Sequence, residues 1–301
     1  MNDEEQTNPP VQTVEVDGAR LAYAERGNGE PLVFIHGAVS DYRSWSEQLE
    51  EFADDYRVIA YSRRAHYPNA RKADSNYTRG VHVRDLIALL KTLHLGKAHL
   101  VGHSYGAAIA LLAALEAPEL VSSLVLGEPS PFPQILDADA QPLLDEQKRR
   151  FDKVARFARN GDETAAVREF LHVVIGIDAF CLLPAERRAV VLANAGTLLP
   201  MLRTFYDSAL TGEKLKKLTA PAMLVTGEIS PVLARLGCKA LDRLLPNSKI
   251  AVLKCASHGL HMENPKDYNR LLADFLSVNK ITARLDKDSL LYSPIFNQKL
   301  D

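Results

Sequence analysis

The sequence predicts an α/β fold: a mostly parallel sheet with helices on both faces and a helical insertion within it. Three observations carry this. Short apolar runs alternate with amphipathic stretches along most of the chain. The alternation stops between about Pro131 and Lys217, where only helical patterns remain. An antiparallel hairpin signal precedes everything else. Strands separated by helices imply parallel neighbours with both faces covered, and a leading hairpin adds an antiparallel edge.

In order, the first ten residues, MNDEEQTNPP, are polar and acidic and predict a disordered arm over 1–10. VQTVEV and RLAYAE alternate apolar and polar residues around Asp17-Gly18, a two-residue hairpin turn. After the turn signal Gly27-Asn28-Gly29, PLVFIHG is a short apolar run ending in glycine, the pattern of a buried strand. RVIAYS (57–62) predicts the next strand and VHVRDLIALLKTLHL (81–95) a helix. AHLVGHS (98–104) is a strand leading into a sharp turn, and YGAAIALLAALEA continues it as a helix. SSLVLGEP (122–129) predicts another strand.

Then come LLDEQKRRFDKVARFARN, TAAVREFLHVVI and PAERRAVVLANAGTLLPMLRTFY, each amphipathic at helical spacing. PAMLVTG (221–227) and KIAVLKCAS (249–257) return to strands around a helix at VLARLGCKALDRLL. A last helix is expected at KDYNRLLADFL. The organisation expected is a core of 11–130 and 218–278, a helical cap at 131–217 and a tail at 279–301.

The bulk numbers narrow the function classes. The chain has 301 residues, 47% hydrophobic and 25% charged, with a net charge of −2. No basic stripe offers itself to a nucleic acid backbone. No run approaches the roughly 20 apolar residues of a membrane span, and no basic start precedes an apolar run. Cys181, Cys238 and Cys255 lack metal-ligand spacing; their low, odd number suits a reducing cytoplasm, and they are expected to be buried small hydrophobes. Neither a cofactor nor a metal is called for, and the expected partner is a small-molecule substrate.

Three motifs carry chemistry. GHSYG at 102–106 matches G-x-S-x-G between a strand and a small-residue helix. Such a turn lifts the Ser104 hydroxyl above the sheet, and glycines are needed where backbone crowds backbone. A serine hydroxyl is a weak nucleophile and needs a base within hydrogen-bond reach. HG at 36–37 closes the PLVFI strand. In this architecture the backbone N–H groups of Ala38 and Tyr105 are expected to point at one spot, where they could hold a developing oxyanion, worth ~3 kcal/mol per donor. The helix starting at Tyr105 adds its positive end. His36 itself is expected to be structural. Third, ASHGLHMENP at 256–265 puts His258 on a loop after a strand, the best candidate base. His261 is the alternative, expected to pack or be exposed.

HG, GHSYG and SHGLHMENP, in that order over residues 11–278, resemble the α/β-hydrolase fold family. The resemblance implies a Ser–acid–His triad above a mostly parallel eight-stranded sheet, and the insertion sits where that family carries its cap. The family usually places its acid three residues after the glycine of the strand seen here as PAMLVTG. Ser230 stands there. Asp242 falls inside a helix, and Glu228 is two residues early, facing another side of the loop. Glu128 ends the neighbouring LVLGEP strand, and adjacent strands lie about 4.8 Å apart. Some lactonases and dehalogenases of the family are similar in taking their acid from that strand. Glu128 is therefore the expected acid and Glu228 the alternative.

The resemblance also departs after RVIAYS, where the family often shows Asp-x-Arg-Gly-x-Gly. In SRRAHYPNA, Arg63 keeps a basic residue, but Ala65 and Tyr67 replace the glycines. The expectation is a surface loop held by salt bridges, with Arg64 or His66 shaping the pocket mouth as the other reading. A serine nucleophile favours esters, lactones or thioesters and argues against dehalogenase or epoxide hydrolase chemistry. C–C bond hydrolysis of a diketone is the alternative reaction, and a non-hydrolytic small-molecule receptor the alternative class. Phe170, Val173, Val174, Ile175, Phe180, Leu182 and Leu183 of the insertion are expected either to pack it onto the body or to line an apolar pocket, which leans towards a fairly hydrophobic ligand.

Overall fold

The structure, a computed structural model, describes residues 10–70, 77–207 and 210–281. The expected terminal arm and tail lie almost wholly outside them.

β1 (Gln12–Val16) and β2 (Ala19–Arg26) form the expected hairpin. Asp17 and Gly18 both have positive φ, 42° and 70°, which matches the right-handed twist of the flanking strands. The remaining strands are β3 (Glu30–Ile35), β4 (Tyr56–Tyr61), β5 (Ala98–His103), β6 (Val121–Gly127), β7 (Ala222–Gly227) and β8 (Ser248–Leu253). Together they make one eight-stranded sheet in the order β1-β2-β4-β3-β5-β6-β7-β8. Only the pairs involving β2 are antiparallel.

The helices are α1 (Ser46–Glu51), α2 (Arg79–Thr92), α3 (Tyr105–Glu116), α4 (Gln141–Arg159), α5 (Glu163–Ile175), α6 (Ala185–Ala193), α7 (Leu198–Arg203), α8 (Gly212–Leu215), α9 (Val232–Leu244), α10 (Leu260–Glu263) and α11 (Pro265–Ser277). Their ends follow local chemistry. Thr78 accepts from Val81 N–H at the start of α2, and Asp162 accepts from Ala165 N–H at the start of α5. Gly176, at φ 91°, ends α5 in the left-handed conformation that a Cβ would oppose. None of the described helices is long and apolar enough to cross a membrane.

Strand alternation divides the core into two layers. Val33, Ile35, Ile59, Tyr61, Leu100 and Leu124 face α2 and α3. Leu32, Phe34, Val58, Ala60, Val101 and Val125 face α1 and α11, where Trp45, Leu49, Leu272 and Phe275 meet them. Burying one such side chain contributes roughly 1.5–3 kcal/mol.

Between β6 and β7 the chain forms α4 to α8. α4 and α5 are joined by the stacked Phe151–Phe170 pair, with Phe205 edge-on to Phe151. The stretch expected as one helix over 184–206 is instead broken into α6 and α7 at Asn194. There the Asn194 side chain turns to the body, donating to Asp41 Oδ2 at 2.7 Å and accepting from Tyr67 N–H at 2.8 Å. Those contacts outweigh one more helical turn. The cysteine expectation holds only for Cys238; Cys181 and Cys255 are exposed free thiols.

Candidate active site

The order of the sheet reverses between β3 and β5: one connection leaves β3 towards β4, and β5 returns on its other side. Crevices form at such a switch point, beyond the carboxyl ends of the strands. Here those ends carry Gly37-Ala38 after β3, Ser104 after β5 and Glu128 after β6. Register keeps them level, with Ile35 beside Gly102 and His103 beside Gly127.

Ser104 occupies the tight turn at φ 53°, ψ −116°, directly before α3. Packing explains the flanking glycines. A Cβ on Gly102 would lie 2.5 Å from Ala107 Cα, and one on Gly106 would lie 2.2 Å from the Ile35 carbonyl oxygen. Nothing larger than hydrogen fits at either position. The turn is stitched to β6 by Ser104 N–H donating to Gly127 O at 2.8 Å and Ser130 N–H donating to Ser104 O at 3.0 Å.

The structure brings three of the expected residues into one hydrogen-bonded row. Ser104 Oγ lies 3.0 Å from His258 Nε2, and His258 Nδ1 lies 2.7 Å from Glu128 Oε2. Glu128 is 1% exposed and has φ 41°, an unusual backbone for a non-glycine residue. Its other oxygen accepts from Thr226 Oγ1 at 2.7 Å and Gly227 N–H at 2.9 Å. Burial pushes its pKa up, but the His258 hydrogen bond and charge, with the Ser230 and Thr226 hydroxyls, outweigh this and hold it at about 2. Ser230, at the position where the resemblance placed the acid, lies beside the carboxylate, but its buried Oγ does not reach the hydrogen-bond geometry of Thr226 and Gly227. Glu228 points elsewhere: it is exposed, and Oε2 accepts from Cys255 N–H.

The histidine loop is held from two directions. Glu263 accepts from Ser257 Oγ at 2.7 Å and from the Gly259 N–H. His103 Nε2 lies 2.7 Å from His258 O, so its proton sits on Nε2 and is donated to that carbonyl. Burial, then the neighbouring His258, lowers the His103 pKa to about 3, keeping the ring neutral. His261 is buried and stacks on Trp45 at 3.7 Å between centroids.

Ser104 and His258 border two cavities. The larger, about 630 Å³, lies between the body and the inserted helices; Ala38, Phe170, Val174, Ile175, Leu183 and Val190 contribute to its wall. The smaller, about 220 Å³, is bounded by Pro129, Pro131, Val173, Phe205 and Leu233. Leu182, expected as a pocket or packing residue, is 74% exposed instead, and Phe180 packs without reaching either cavity. Arg43, Arg187 and Arg150 reach the cavities but are each engaged, with Asp41, Glu47 and Glu169.

The SRRAHY run departs from expectation. Arg63 and His66 are fully buried, and only Arg64 makes the surface-type pair, with Asp85 at 2.7 Å. Neither Arg64 nor His66 lines either cavity. His36 is also buried, under the HG turn.

The alpha/beta hydrolase family matches residues 32–271. A 2-hydroxymuconate semialdehyde hydrolase of Pseudomonas sp. (strain CF600) is 29% identical over 275 residues, 86% of this chain and 91% of its own length. The AB hydrolase superfamily protein YfhM of Bacillus subtilis (strain 168) is 28% identical over 280 residues, covering 88% of this chain and 97% of its own. Among solved structures, a thermophilic esterase from Thermogutta terrifontis superposes with a TM-score of 0.75 at 22% identity, over 88% of this chain and 98% of that one. That likeness is one of fold.

Proposed function

The chain belongs to the α/β hydrolase family, and from that premise we propose that it is a serine hydrolase cleaving a carboxylic ester or lactone of a small, mainly hydrophobic molecule. The observation that carries this is the Glu128–His258–Ser104 row at 2.7 and 3.0 Å, opening on a largely apolar cavity.

In this reading His258 Nε2 takes the Ser104 proton as Oγ attacks the substrate carbonyl. The C=O pair moves onto oxygen, and the Ala38 and Tyr105 N–H groups hold that oxyanion. Collapse breaks the bond to the alkoxy group, which leaves with the proton from His258. Water, deprotonated by His258, then attacks the acyl-enzyme and Ser104 departs as the alcohol. Glu128 fixes the imidazole tautomer and stabilises its cation. With its pKa held at about 2, it is anionic throughout the working range.

A second reading, C–C bond hydrolysis with the same residues, is favoured by the 2-hydroxymuconate semialdehyde hydrolase and by a relative named as a dienoic acid hydrolase, 26% identical. The carboxylates of Glu47, Glu50, Glu186 and Glu263 in the wall of the larger cavity favour the ester reading, because they repel an anionic substrate.

A fluorophosphonate probe with peptide mapping tests the nucleophile: labelling at Ser104, lost in His258→Ala, is expected. Absence of labelling favours a binder without hydrolytic activity. A panel of esters and lactones beside 6-oxo-dienoic acids separates the two reactions, and turnover of the acids alone overturns the ester assignment.

A further inference from the structure

Arg63 is fully buried, and its contacts converge on the HG turn. Its Nη2 donates to Gly37 O at 2.8 Å and its Nε to His36 O at 3.2 Å. Its backbone N–H donates to His36 Nε2 at 2.9 Å. That leaves the His36 proton on Nδ1, which donates to Gly37 O at 2.8 Å. Gly37 O therefore accepts from two directions. The Gly37–Ala38 peptide is trans, the one cis bond among the described residues being Tyr67–Pro68. In a planar trans peptide C=O and N–H point opposite ways. Gripping the Gly37 carbonyl from the interior turns the Ala38 N–H towards the cavity that Ala38 and Ser104 share. Gly37 packs tightly there: a Cβ on it would lie 3.3 Å from Ser104 Cβ.

Among the described residues the charge has no counterion: Arg63 bonds to two carbonyls, the Tyr77 hydroxyl and His82, and to no carboxylate. The imidazoles around it stay neutral: burial first, and then the Arg63 charge, lowers the pKa of His36, His66 and His82 well below the usual value. The guanidinium carbon also lies 5.0 Å from the ring centre of Tyr105, the residue expected to supply the second N–H.

We propose that Arg63 is a positioning residue for the oxyanion hole: its guanidinium aims the Ala38 N–H through the Gly37 carbonyl and places a positive charge behind the developing oxyanion. This rests on the serine hydrolase reading.

The test uses the full chain as wild type, Arg63→Lys and Arg63→Met, with an aryl trifluoromethyl ketone and the matching ether that cannot react. With the ketone, Ser104 Oγ bonds to the carbonyl carbon, the C=O pair becomes an alkoxide, and the serine proton passes to His258. Arg63→Met is expected to lose about 100-fold in kcat and in ketone affinity together, with KM and ether affinity within about threefold. Arg63→Lys keeps the charge but loses the planar fork, and is expected to lose about tenfold in both. Thermal melts report folding; if only Arg63→Lys folds, it carries the test. Folded variants with wild-type ketone affinity overturn the proposal. So does equal loss of ketone and ether affinity, or failure of both variants to fold, which makes Arg63 purely structural. Wild type that fluorophosphonate does not label sinks the hydrolase reading and this one with it; labelled wild type with unchanged variants sinks this one alone.

Discussion

The ends of β6 and β7 lie side by side, Gly127 opposite Val225, yet they carry different chemistry. The β6 end presents Glu128, buried, bonded to His258 and held at about 2. The β7 end presents Thr226 and Gly227, which both donate to that carboxylate, with the Ser230 hydroxyl beside them. One strand supplies the anion and its neighbour supplies the donors. What the imidazole needs is a carboxylate at hydrogen-bond distance from Nδ1; which strand delivers it is secondary. The longer glutamate side chain and the left-handed backbone at residue 128 reach that point from β6.

The largest expected effect comes from removing the partner that both ends serve. His258→Ala should lower kcat/KM by about 10⁴ or more, measured on the best ester of a panel. Glu128→Gln comes next. An amide can present its N–H to Nδ1 and stabilise the wrong tautomer, so a loss of about 10³ in kcat is expected. If that variant keeps more than a tenth of the activity, the β6 assignment fails. The comparison sharpens by moving the acid. In a Glu128→Ala background, Ser230→Asp should recover about tenfold of the lost rate, because residue 230 already faces the vacated place. No recovery in a folded double variant means the two strand ends are not interchangeable. The pH profile carries a slope rather than a rate. Since Glu128 is ionised at every pH above about 2, the acid limb of kcat/KM between pH 4 and 8 should show one ionisation with unit slope. A second ionisation in that window breaks the argument. Smallest is Glu228→Gln, which touches an exposed side chain on the far side of the loop and should change kcat less than twofold.

Much of this was legible in the sequence because its signals are local. Ser104 sits in a five-residue motif whose glycines are dictated by close contacts, and the strand-helix alternation gives the sheet. Glu128 follows from one step more, the adjacency of two parallel strands. What escaped depends on distant partners. Arg63 looks like a surface residue in SRRAHY, and its burial becomes intelligible only when His36 and Gly37, on another strand's end, take up its donors. The break at Asn194 is similar. Periodicity runs through 184–206, and the interruption comes from Asp41 and Tyr67, far away in the chain. Leu182 has an apolar neighbourhood in sequence but ends in solvent, since helical spacing does not report which apolar face the body covers.

Ser104 stands on the boundary between a chamber of about 630 Å³ and one of about 220 Å³. On the proposed ester reading, a scissile bond held there would divide a ligand into a bulky arm and a slim one. Chain-length selectivity is then lopsided. On the ester reading, extending the arm in the larger space is expected to cost less than extending the arm in the smaller one, and two esters that differ only by exchange of their acyl and alkoxy groups are expected to be told apart by size.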